Sequence, residues 1–451
     1  MRHLRGFLFD QAVFVEKLLN REVKVAHNLL ERAEKTYSRD GVLEIQNEAF
    51  LKLIHFVYHN NNYYHSLFNE YGLTPESFND ISDLNKIPFL TKDDIKSKRS
   101  QLLTSKIDAS ECLTRTSGGT TGEPIHIDVN KQARINELYF YYRGMNWMGW
   151  KPGYPMVKFF GGSLSKNNYP TLKSRIKRWV SGEVFIPAFD LNTETAPDIL
   201  ELIKNQGPCF LQGYVSSIYT LALHAKELNF KGLKIKGAFT TAEQLPQDQA
   251  EFIKDIFQCD VKGFYGCSEM NCLGFQKEMG GPYIIPDEIL KINETEHPET
   301  GIEHSFLLTS LYNYRTPLIN YLNGDNGSLG TSDPKYSTID QLFGRSGDLF
   351  VRRDGSYISS IVATQTMQIT DLTHKIKRYQ LVQKDYDLVE FRYQPFENEN
   401  LEESDLSKIL NMYKERLGDE FTIYPILTDD FVVSQNRKHR LMINRLGVDK
   451  N

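Results

Sequence analysis

Residues 114–124 read Thr-Arg-Thr-Ser-Gly-Gly-Thr-Thr-Gly-Glu-Pro, and this stretch decides how the rest of the chain is interpreted. It holds three glycines and five hydroxyl residues within eleven positions. Glycine lets the backbone turn with positive φ and approach a ligand closely, and successive N–H groups in such a turn form a nest that binds anions. The stretch predicts a loop around nucleotide phosphates, although clusters of this composition also form plain surface turns. It is not a Walker A loop, because the Gly-Lys-[Ser/Thr] ending is absent.

Downstream of this loop, short apolar runs alternate with stretches of helical periodicity. We predict strands at residues 156–160, 209–212, 234–240, 261–265 and 305–310, and helices at 214–228 and 247–257. Such alternation indicates a largely parallel sheet with helices on its faces, and ligands of these sheets lie beyond the carboxyl ends of the strands. The segments 241–243 and 265–269 follow two of the predicted strands.

The two ends of the chain differ in character. Residues 1–100 and 130–150 show the apolar spacing of helices. After residue 348 the pattern changes to strands at 380–393, a helix at 404–417 and a strand at 421–427. About a hundred residues of mixed β and α structure would form a small second domain.

Composition limits the class of protein. A chain of 451 residues is expected to form at least two domains. A net charge of −5 argues against a nucleic-acid partner, and no apolar run is long enough for a transmembrane segment. Residues 1–20 favour an amphipathic helix over a signal peptide, because Asp10 and Gln11 interrupt the apolar run. The basic run 173–178 could meet the phosphates of an acceptor, but such runs are usually solvated.

The cysteines show no disulfide or metal framework. No C-x-x-C pair occurs, and Cys267 with Cys272 lacks a matching second pair of metal ligands. We therefore expect free thiols and a cytoplasmic location. The five positions are Cys112, Cys209, Cys259, Cys267 and Cys272.

The glycine-rich stretch resembles the phosphate loop of adenylate-forming enzymes, the superfamily of acyl-CoA synthetases and related ligases. Ile125 and His126 follow where many members have a lysine, which resembles the phenylacetate–CoA ligase branch and the related capsular polysaccharide biosynthesis proteins. The resemblance covers nearly the whole chain. It implies an α/β fold with a large N-terminal domain, residues 1–345, of mixed, largely parallel sheets flanked by helices, of which residues 1–100 are mainly helical. Residues 346–451 would form a small α+β C-terminal lid domain.

Further motifs extend the resemblance to the nucleotide site. Residues 265–269 match the family's Tyr-Gly-x-[Ser/Thr]-Glu motif, and residues 317–325 resemble its Tyr-x-Thr-Gly-Asp segment, with Asn320 and Asn323 where Arg and Thr are usual. The resemblance implies that Tyr265 stacks on adenine and that Asp325 accepts hydrogen bonds from both ribose hydroxyls. Alone, Asp325 could equally belong to an Asx-type turn. The ATP-binding set implied is Thr116, Ser117, Gly118, Gly119, Thr120, Thr121, Gly122, Ala242, Glu243, Tyr265, Gly266, Ser268, Asp325 and Arg345.

The resemblance also implies the catalytic groups. Glu269 would hold Mg²⁺, Arg345 would contact the ribose and phosphate, and Asp348 would be the hinge of the lid. Lys438 aligns with the family's catalytic lysine, although Arg437 replaces the usual preceding glycine. Without the resemblance, Glu269 could be a surface carboxylate and Lys438 part of a basic surface turn.

The substrate pocket is implied by residues 213–217, which resemble the turn that lines the carboxylate pocket of the family. The acid would contact Gly213, Tyr214 and Ser216. Alternatively, the serines of this turn could simply cap a helix. The sequence does not identify the acid.

The resemblance implies an ATP-dependent ligase. A carboxylic acid would attack the α-phosphorus of ATP with Mg²⁺ as cofactor, and a thiol or amine acceptor would then displace AMP. Coenzyme A is the first candidate co-substrate, as in phenylacetate–CoA ligases, and an amino sugar or amino acid in surface polysaccharide biosynthesis is the alternative. A nucleotide-binding homologue without catalysis is a second alternative. The oligomeric state is open, with a homodimer as one possibility.

Overall fold

The computed structural model places the predicted elements in two regions of the chain. It describes residues 21–36, 38–116, 125–151, 153–160, 182–188, 191, 193–242, 245, 247–297, 304–345, 349–353, 357–359, 366–367, 370, 372, 375–395, 401–431 and 442–446. The N-terminal segment 1–20 and the basic run 173–178 lie outside the described residues.

The helices agree with the predicted periodicity to within a few residues. The region before residue 100 is mainly helical, and Ser38 caps its longest helix by accepting a hydrogen bond from the Gly41 amide at 3.3 Å. The helices are α1 (Arg21–Lys35), α2 (Arg39–Asn60), α3 (Asn62–Glu70), α4 (Lys92–Ser97), α5 (Arg99–Leu102), α6 (Lys131–Asn146), α7 (Ala196–Gln206), α8 (Val215–Glu227), α9 (Gln247–Phe257) and α10 (Glu403–Leu417), with 3-10 turns at Pro75–Ser77, Ile81–Lys86 and Ala109–Glu111.

The strands form one large sheet and several small ones. They are β1 (Leu113–Thr116), β2 (His126–Val129), β3 (Met156–Phe160), β4 (Glu183–Pro187), β5 (Cys209–Tyr214), β6 (Ile235–Thr241), β7 (Asp260–Tyr265), β8 (Gly274–Gln276), β9 (Tyr283–Ile284), β10 (Leu290–Thr295), β11 (Ser305–Ser310), β12 (Tyr321–Gly330), β13 (Thr338–Arg345), β14 (Leu349–Val351), β15 (Tyr357–Ser359), β16 (Ile376–Asp385), β17 (Leu388–Pro395), β18 (Thr422–Leu427) and β19 (Met442–Asn444).

The large sheet is mixed, as predicted. Among the described residues its eleven strands run in the order β10-β11-β12-β13-β9-β8-β7-β6-β5-β3-β4. In this spatial order, the five strands β7-β6-β5-β3-β4 pair in parallel. The seven strands β10-β11-β12-β13-β9-β8-β7 pair antiparallel. The antiparallel share exceeds what strand–helix alternation indicated, because the described part of the segment 274–345 supplies strands without an intervening helix.

Helices cover both faces of the parallel strands. Adjacent residues of β5 and β6 point to opposite faces, so Phe210 and Phe239 join one apolar cluster with residues of α2, α3 and α6. Leu211 and Ala238 join the other cluster, with residues of α7, α8 and α9. This three-layer arrangement leaves the carboxyl ends of β5, β6 and β7 at one edge of the sheet.

The C-terminal region has a core of its own. Its sheet has the order β18-β17-β16-β19, and α10 packs on it through Ile409, Tyr413 and Leu417. Phe350 belongs to the same cluster. The mixed α+β content matches the prediction for this part of the chain.

The structure bears on the predictions about the cysteines and about membrane-spanning helices. All five cysteines are free thiols, which confirms the prediction. Within the described ranges, we find no helix with the length and apolarity that a bilayer crossing requires.

Candidate active site

The turn after β7 carries most of the predicted motif at residues 265–269. The turn is closed by a hydrogen bond from the Leu273 amide to the Tyr265 carbonyl at 3.0 Å. Gly266 is required here, because a Cβ at this position would collide with the carbonyl oxygen of Asn271. Ser268 is exposed, whereas Glu269 is buried with 7% of its surface accessible. The alternative interpretation of Glu269 as a surface carboxylate is therefore wrong.

Strand β12 supplies the facing side of the site. Side chains alternate along a strand, so Tyr321, Asn323 and Asp325 lie on one face of β12. All three side chains are buried. They meet Tyr265 and Glu269 of the β7 end through hydrogen bonds, and the structure thus brings together two of the predicted functional carboxylates.

Asp325 is fixed by two donors. The Tyr265 hydroxyl donates to Asp325 Oδ2 at 2.7 Å, and Asn323 Nδ2 donates to the same oxygen at 2.8 Å. Asn323 Nδ2 also approaches the Tyr265 hydroxyl oxygen at 3.3 Å. The carboxylate predicted to bind ribose is held by the tyrosine predicted to stack on adenine.

The Asx-type turn does occur, but Asn323 forms it rather than Asp325. Asn323 Oδ1 accepts a hydrogen bond from the Asp325 amide at 3.0 Å, and Gly324 between them has φ of +85°, a conformation that favours glycine. The departure from the family's threonine at position 323 therefore places an amide that contacts both the backbone and the side chain of Asp325.

Glu269 is held by a residue that the sequence analysis missed. The Tyr321 hydroxyl donates to Glu269 Oε1 at 2.8 Å. Tyr321 is fully buried and follows Asn320, whose backbone φ is +49°. The i, i+2, i+4 spacing of Tyr321, Asn323 and Asp325 was a signal for one shared face, but only the three-dimensional structure shows that this face meets Tyr265 and Glu269.

Burial raises the pKa values of the neutral groups around the carboxylates. Burial, reinforced by the charge of Asp325, raises the pKa of Tyr265 well above its ordinary value. The pKa of Tyr321 rises in the same way beside Glu269. Burial, with Glu269 and Asp325 nearby, also raises the pKa of the Cys267 thiol. These three groups stay protonated at neutral pH, so the two tyrosines remain hydrogen-bond donors.

The ends of β5 and β6 contribute the predicted substrate and adenine borders. Ala242 directly follows β6 with φ of +66°, which is strained for a residue with a Cβ and tends to occur at functional sites. Gly213 and Tyr214 end β5, and the Tyr214 ring packs edge-on against Phe160 at 5.7 Å. Helix α8 begins at Val215 with Tyr214 as its N-cap residue, so the interpretation of the serines as N-caps is wrong. The backbone of Ser216 lies in the first turn of α8.

The predicted phosphate loop joins two paired strands. Thr116 is the last residue of β1 and faces His126 of β2, with Thr116 Oγ1 and His126 Nδ1 3.1 Å apart. Arg115 Nη2 forms a 2.5 Å ion pair with Glu137 of α6. Burial raises the pKa of Glu137, while the charge of Arg115 opposes this shift. This pair joins the base of the hairpin to α6 and is a second contact that the sequence analysis missed.

Asp128 joins the other side of the hairpin to the body of the domain. It accepts a hydrogen bond from Thr114 Oγ1 at 2.6 Å and contacts Arg99 Nη2 at 3.3 Å. Arg315 Nε lies 4.0 Å from Asp128 Oδ2. The two strands that flank the predicted loop are therefore fixed on both sides.

The remaining predicted positions are only partly described. Arg345 ends β13, and its backbone pairs with Asp325 of β12. The other predicted site residues lie outside the described residues, namely Ser117, Gly118, Gly119, Thr120, Thr121, Gly122, Glu243, Asp348 and Lys438.

Comparisons with known proteins cover nearly the whole chain. No protein-family model matches it. CapK of Staphylococcus aureus is 21% identical over 430 residues, which cover 90% of each chain. A phenylacetate-coenzyme A ligase of Thermus thermophilus is 22% identical over 429 residues, covering 90% of this chain and 89% of the relative.

Solved structures show the same fold. A crystal structure of 2-hydroxyisobutyryl-CoA ligase in the postadenylation state, in complex with R3-HIB-AMP, matches with a TM-score of 0.63 at 15% identity and covers 91% of this chain and 90% of that chain. An open conformation of that enzyme, in complex with 2-HIB-AMP and CoA, matches with a TM-score of 0.57.

The fold and the curated relatives are consistent with the adenylate-forming superfamily. Within it, the relatives are consistent with the phenylacetate–CoA ligase-like branch, which confirms the resemblance drawn from the motifs.

Proposed function

We propose that this chain is an AMP-forming ligase that activates a carboxylic acid as an acyl-adenylate and transfers the acyl group to an acceptor. The observation that carries the proposal is the joining of Asp325 and Tyr265 by one hydrogen bond and of Glu269 and Tyr321 by another, beyond the end of β7. Ligands of open α/β sheets bind at that edge. Relatives and fold neighbours that are acyl-CoA ligases support an AMP-forming enzyme.

ATP would bind across the ends of β6 and β7 and the first half of β12. Ala242 would border the adenine, Tyr265 would stack on it, and Asp325 would accept the ribose hydroxyls. Charge-assisted hydrogen bonds make a carboxylate suited to that task. Residues 116–122 would wrap the phosphates, with the hairpin fixed by Arg115 and Asp128.

The donor set of the site fits a magnesium ion bound together with nucleotide. The described residues contain no group of three or more His, Cys, Asp and Glu side chains that could hold a metal. Mg²⁺ usually takes one or two carboxylates plus substrate phosphates, so Glu269 together with the phosphates of ATP would hold it. When bound, the ion would neutralise charge that develops on the phosphates.

The chemistry would proceed in two displacements. An oxygen of the acid attacks the α-phosphorus, the bond to the bridging oxygen breaks, and pyrophosphate leaves with both electrons. The acceptor then attacks the acyl carbon, and AMP leaves. The protein would contribute mainly positioning and charge stabilisation, with Lys438 and Arg345 facing the phosphates.

The acid would bind at the end of β5. Gly213, Tyr214 and Ser216 would line its carboxylate side. The lid would comprise residues 346–451, with residues 1–345 as the body and Asp348 as the hinge. Closure of the lid would bring Lys438 to the site and exclude water from an intermediate that hydrolyses readily.

Coenzyme A is the acceptor that we propose first. Phenylacetate-coenzyme A ligases are among the relatives, and the fold is found in a CoA ligase. An amine of a sugar or amino acid is the alternative, as the motif resemblance to capsular polysaccharide biosynthesis proteins implies.

Pyrophosphate release with a panel of acids tests the proposed adenylation. Thermal-shift measurements with trial carboxylates in the presence of ATP would first narrow the panel. Each acid that is turned over would then be incubated with coenzyme A, amino sugars or amino acids, and the product identified by mass spectrometry. ATP binding without pyrophosphate release from any acid would favour a homologue without catalysis and contradict the proposal.

A further inference from the structure

Tyr321 is the single described residue whose side chain donates a hydrogen bond to the Glu269 carboxylate. The bond is 2.8 Å long and reaches Oε1. Both side chains are buried, with 0% of Tyr321 and 7% of Glu269 accessible. A carboxylate in such surroundings can turn about its last bonds unless a partner fixes it, and here one phenol oxygen supplies that partner.

The backbone that carries Tyr321 is itself fixed. The Leu90 amide donates to the Asn320 carbonyl at 2.9 Å, and the Leu322 amide donates to the Leu90 carbonyl at 2.9 Å. Asn320 Nδ2 donates to the carbonyls of Leu84 and Ile87 at 2.7 and 2.8 Å. The start of β12 is thus attached on both sides of Tyr321 to the segment that ends at Leu90. The hydroxyl position is set by the fold and not by Glu269.

We propose that Tyr321 is a positioning residue for divalent-cation binding, which rests on the proposed function of Glu269. By donating to Oε1 it fixes the plane of the carboxylate, so that Oε2 is directed to an ion held with the nucleotide phosphates. No described residue donates to Oε2. Because the described residues offer no cluster of three ligands, the orientation of a single carboxylate decides how well the protein binds the ion. Outer-shell partners of metal ligands typically change metal affinity by about 10- to 100-fold.

A buried hydroxyl can also serve stability alone, and the chain offers a matched control for that role. Tyr64 is 1% accessible and lies in α3. Its hydroxyl donates to the Pro317 carbonyl at 3.2 Å and accepts from the Ile319 amide at 3.1 Å. Tyr321 is the first residue of β12, and the Tyr64 hydroxyl binds the backbone of the segment just before it. The Tyr64 hydroxyl is hydrogen-bonded to no carboxylate of the described residues. Tyr64→Phe therefore removes an equivalent oxygen without touching Glu269.

The test uses the full chain and Mn²⁺ as the probe. Free Mn²⁺ is measured by electron paramagnetic resonance in titrations with α,β-methylene-ATP, a nucleotide that cannot release pyrophosphate. We expect Tyr321→Phe to raise the Mn²⁺ dissociation constant about tenfold or more. Tyr64→Phe should leave this constant within twofold of wild type. Its melting temperature should nevertheless fall at least as much as that of Tyr321→Phe.

A double variant shows whether Tyr321 affects Mn²⁺ binding through the Glu269 carboxylate or through a general loss of stability. Glu269→Gln alone should lose most Mn²⁺ binding, and adding Tyr321→Phe should cause little further loss. Equal Mn²⁺ affinity in wild type and Tyr321→Phe would overturn the positioning role. Equal losses in Tyr321→Phe and Tyr64→Phe would overturn it too. If wild type binds no Mn²⁺ in the presence of the nucleotide, the proposed function of Glu269 fails together with the inference, and this result is distinct from the other two.

Discussion

Replacing Asp325 with alanine should weaken nucleotide binding by removing the partner of the ribose. A hydrogen bond to a charged group contributes about 1.5–3 kcal/mol. Because the two ribose hydroxyls would share one carboxylate, we expect a total loss of about 2–3 kcal/mol. This corresponds to a roughly 30- to 140-fold rise in the dissociation constant at about 1.4 kcal/mol per factor of ten.

The same substitution should also lower stability, and this effect needs a control. It leaves the Tyr265 hydroxyl and the Asn323 amide without their acceptor, at a cost of about 1–3 kcal/mol for an unsatisfied buried group. Asp333 is similarly buried, at 8% accessible, and accepts from the amide of Tyr336 in the turn before β13. Asp333→Ala should therefore lose comparable stability without a change in nucleotide affinity.

Calorimetric titration with a non-hydrolysable ATP analogue and with its 2′-deoxy and 3′-deoxy forms measures the ribose contribution directly. The wild-type chain should prefer the ribonucleotide, and the Asp325→Ala variant should bind all three forms about equally. If the variant keeps the preference for ribose, or if its dissociation constant equals that of wild type, the assignment of Asp325 is refuted.

Three further predictions address the proposed lid, the hairpin formed by β1 and β2, and the Cys267 thiol near the proposed metal ligand Glu269. Lys438→Ala should slow acyl-adenylate formation by about a hundredfold or more with little change in ATP affinity, measured by rapid-quench kinetics; equal rates would mean that another group acts. Glu137→Gln should lower the free energy of unfolding by about 3 kcal/mol, because it leaves an uncompensated charge at a largely buried ion pair; denaturant titration would contradict this if the midpoint stayed unchanged. Burial is the main cause of the raised pKa of Cys267 and the charge of Glu269 adds to it, so Glu269→Gln should lower this pKa. Iodoacetamide should then label Cys267 faster at a fixed pH, with Cys112 as an internal reference, and equal labelling in variant and wild type would contradict the prediction.

The parallel half of the fold was readable from the sequence because its strands are buried on both faces. Met156–Phe160 and Cys209–Tyr214 appear as short apolar runs between helical stretches, and their bounds agree closely with the prediction. The antiparallel half was less readable. Residues 323–327 looked turn-rich because they hold two glycines and three amides or acids, yet they lie within β12. Pairing with β11 and β13 overrides that local preference.

The candidate site was predictable as a set of positions and not as a set of contacts. Glu269 and Asp325 came from motifs, but their contacts did not: the Tyr321 hydroxyl reaches Glu269 from β12, and the Asn323 amide reaches Asp325 from two positions earlier on the same strand. Sequence spacing gives the face on which a side chain lies, but the Tyr321–Glu269 and Tyr265–Asp325 contacts join residues that are 52 and 60 positions apart in the chain. Asn323 looked like a weakened motif, and in the structure it is a contact to Asp325.

The two halves of β12 should differ in their tolerance of insertions. The register of β12 is irregular along β11 between Leu322 and Asn326, and along β13 between Asn326 and Gly327 and between Ser328 and Leu329. An insertion at either of the two offsets along β13 lies beyond Tyr321, Asn323 and Asp325 and leaves those three side chains on one face. A residue inserted between Tyr321 and Asp325 would instead turn one of these side chains to the opposite face of the sheet. An inserted residue should therefore disturb the candidate site less after Asn326 than within the first five residues of β12.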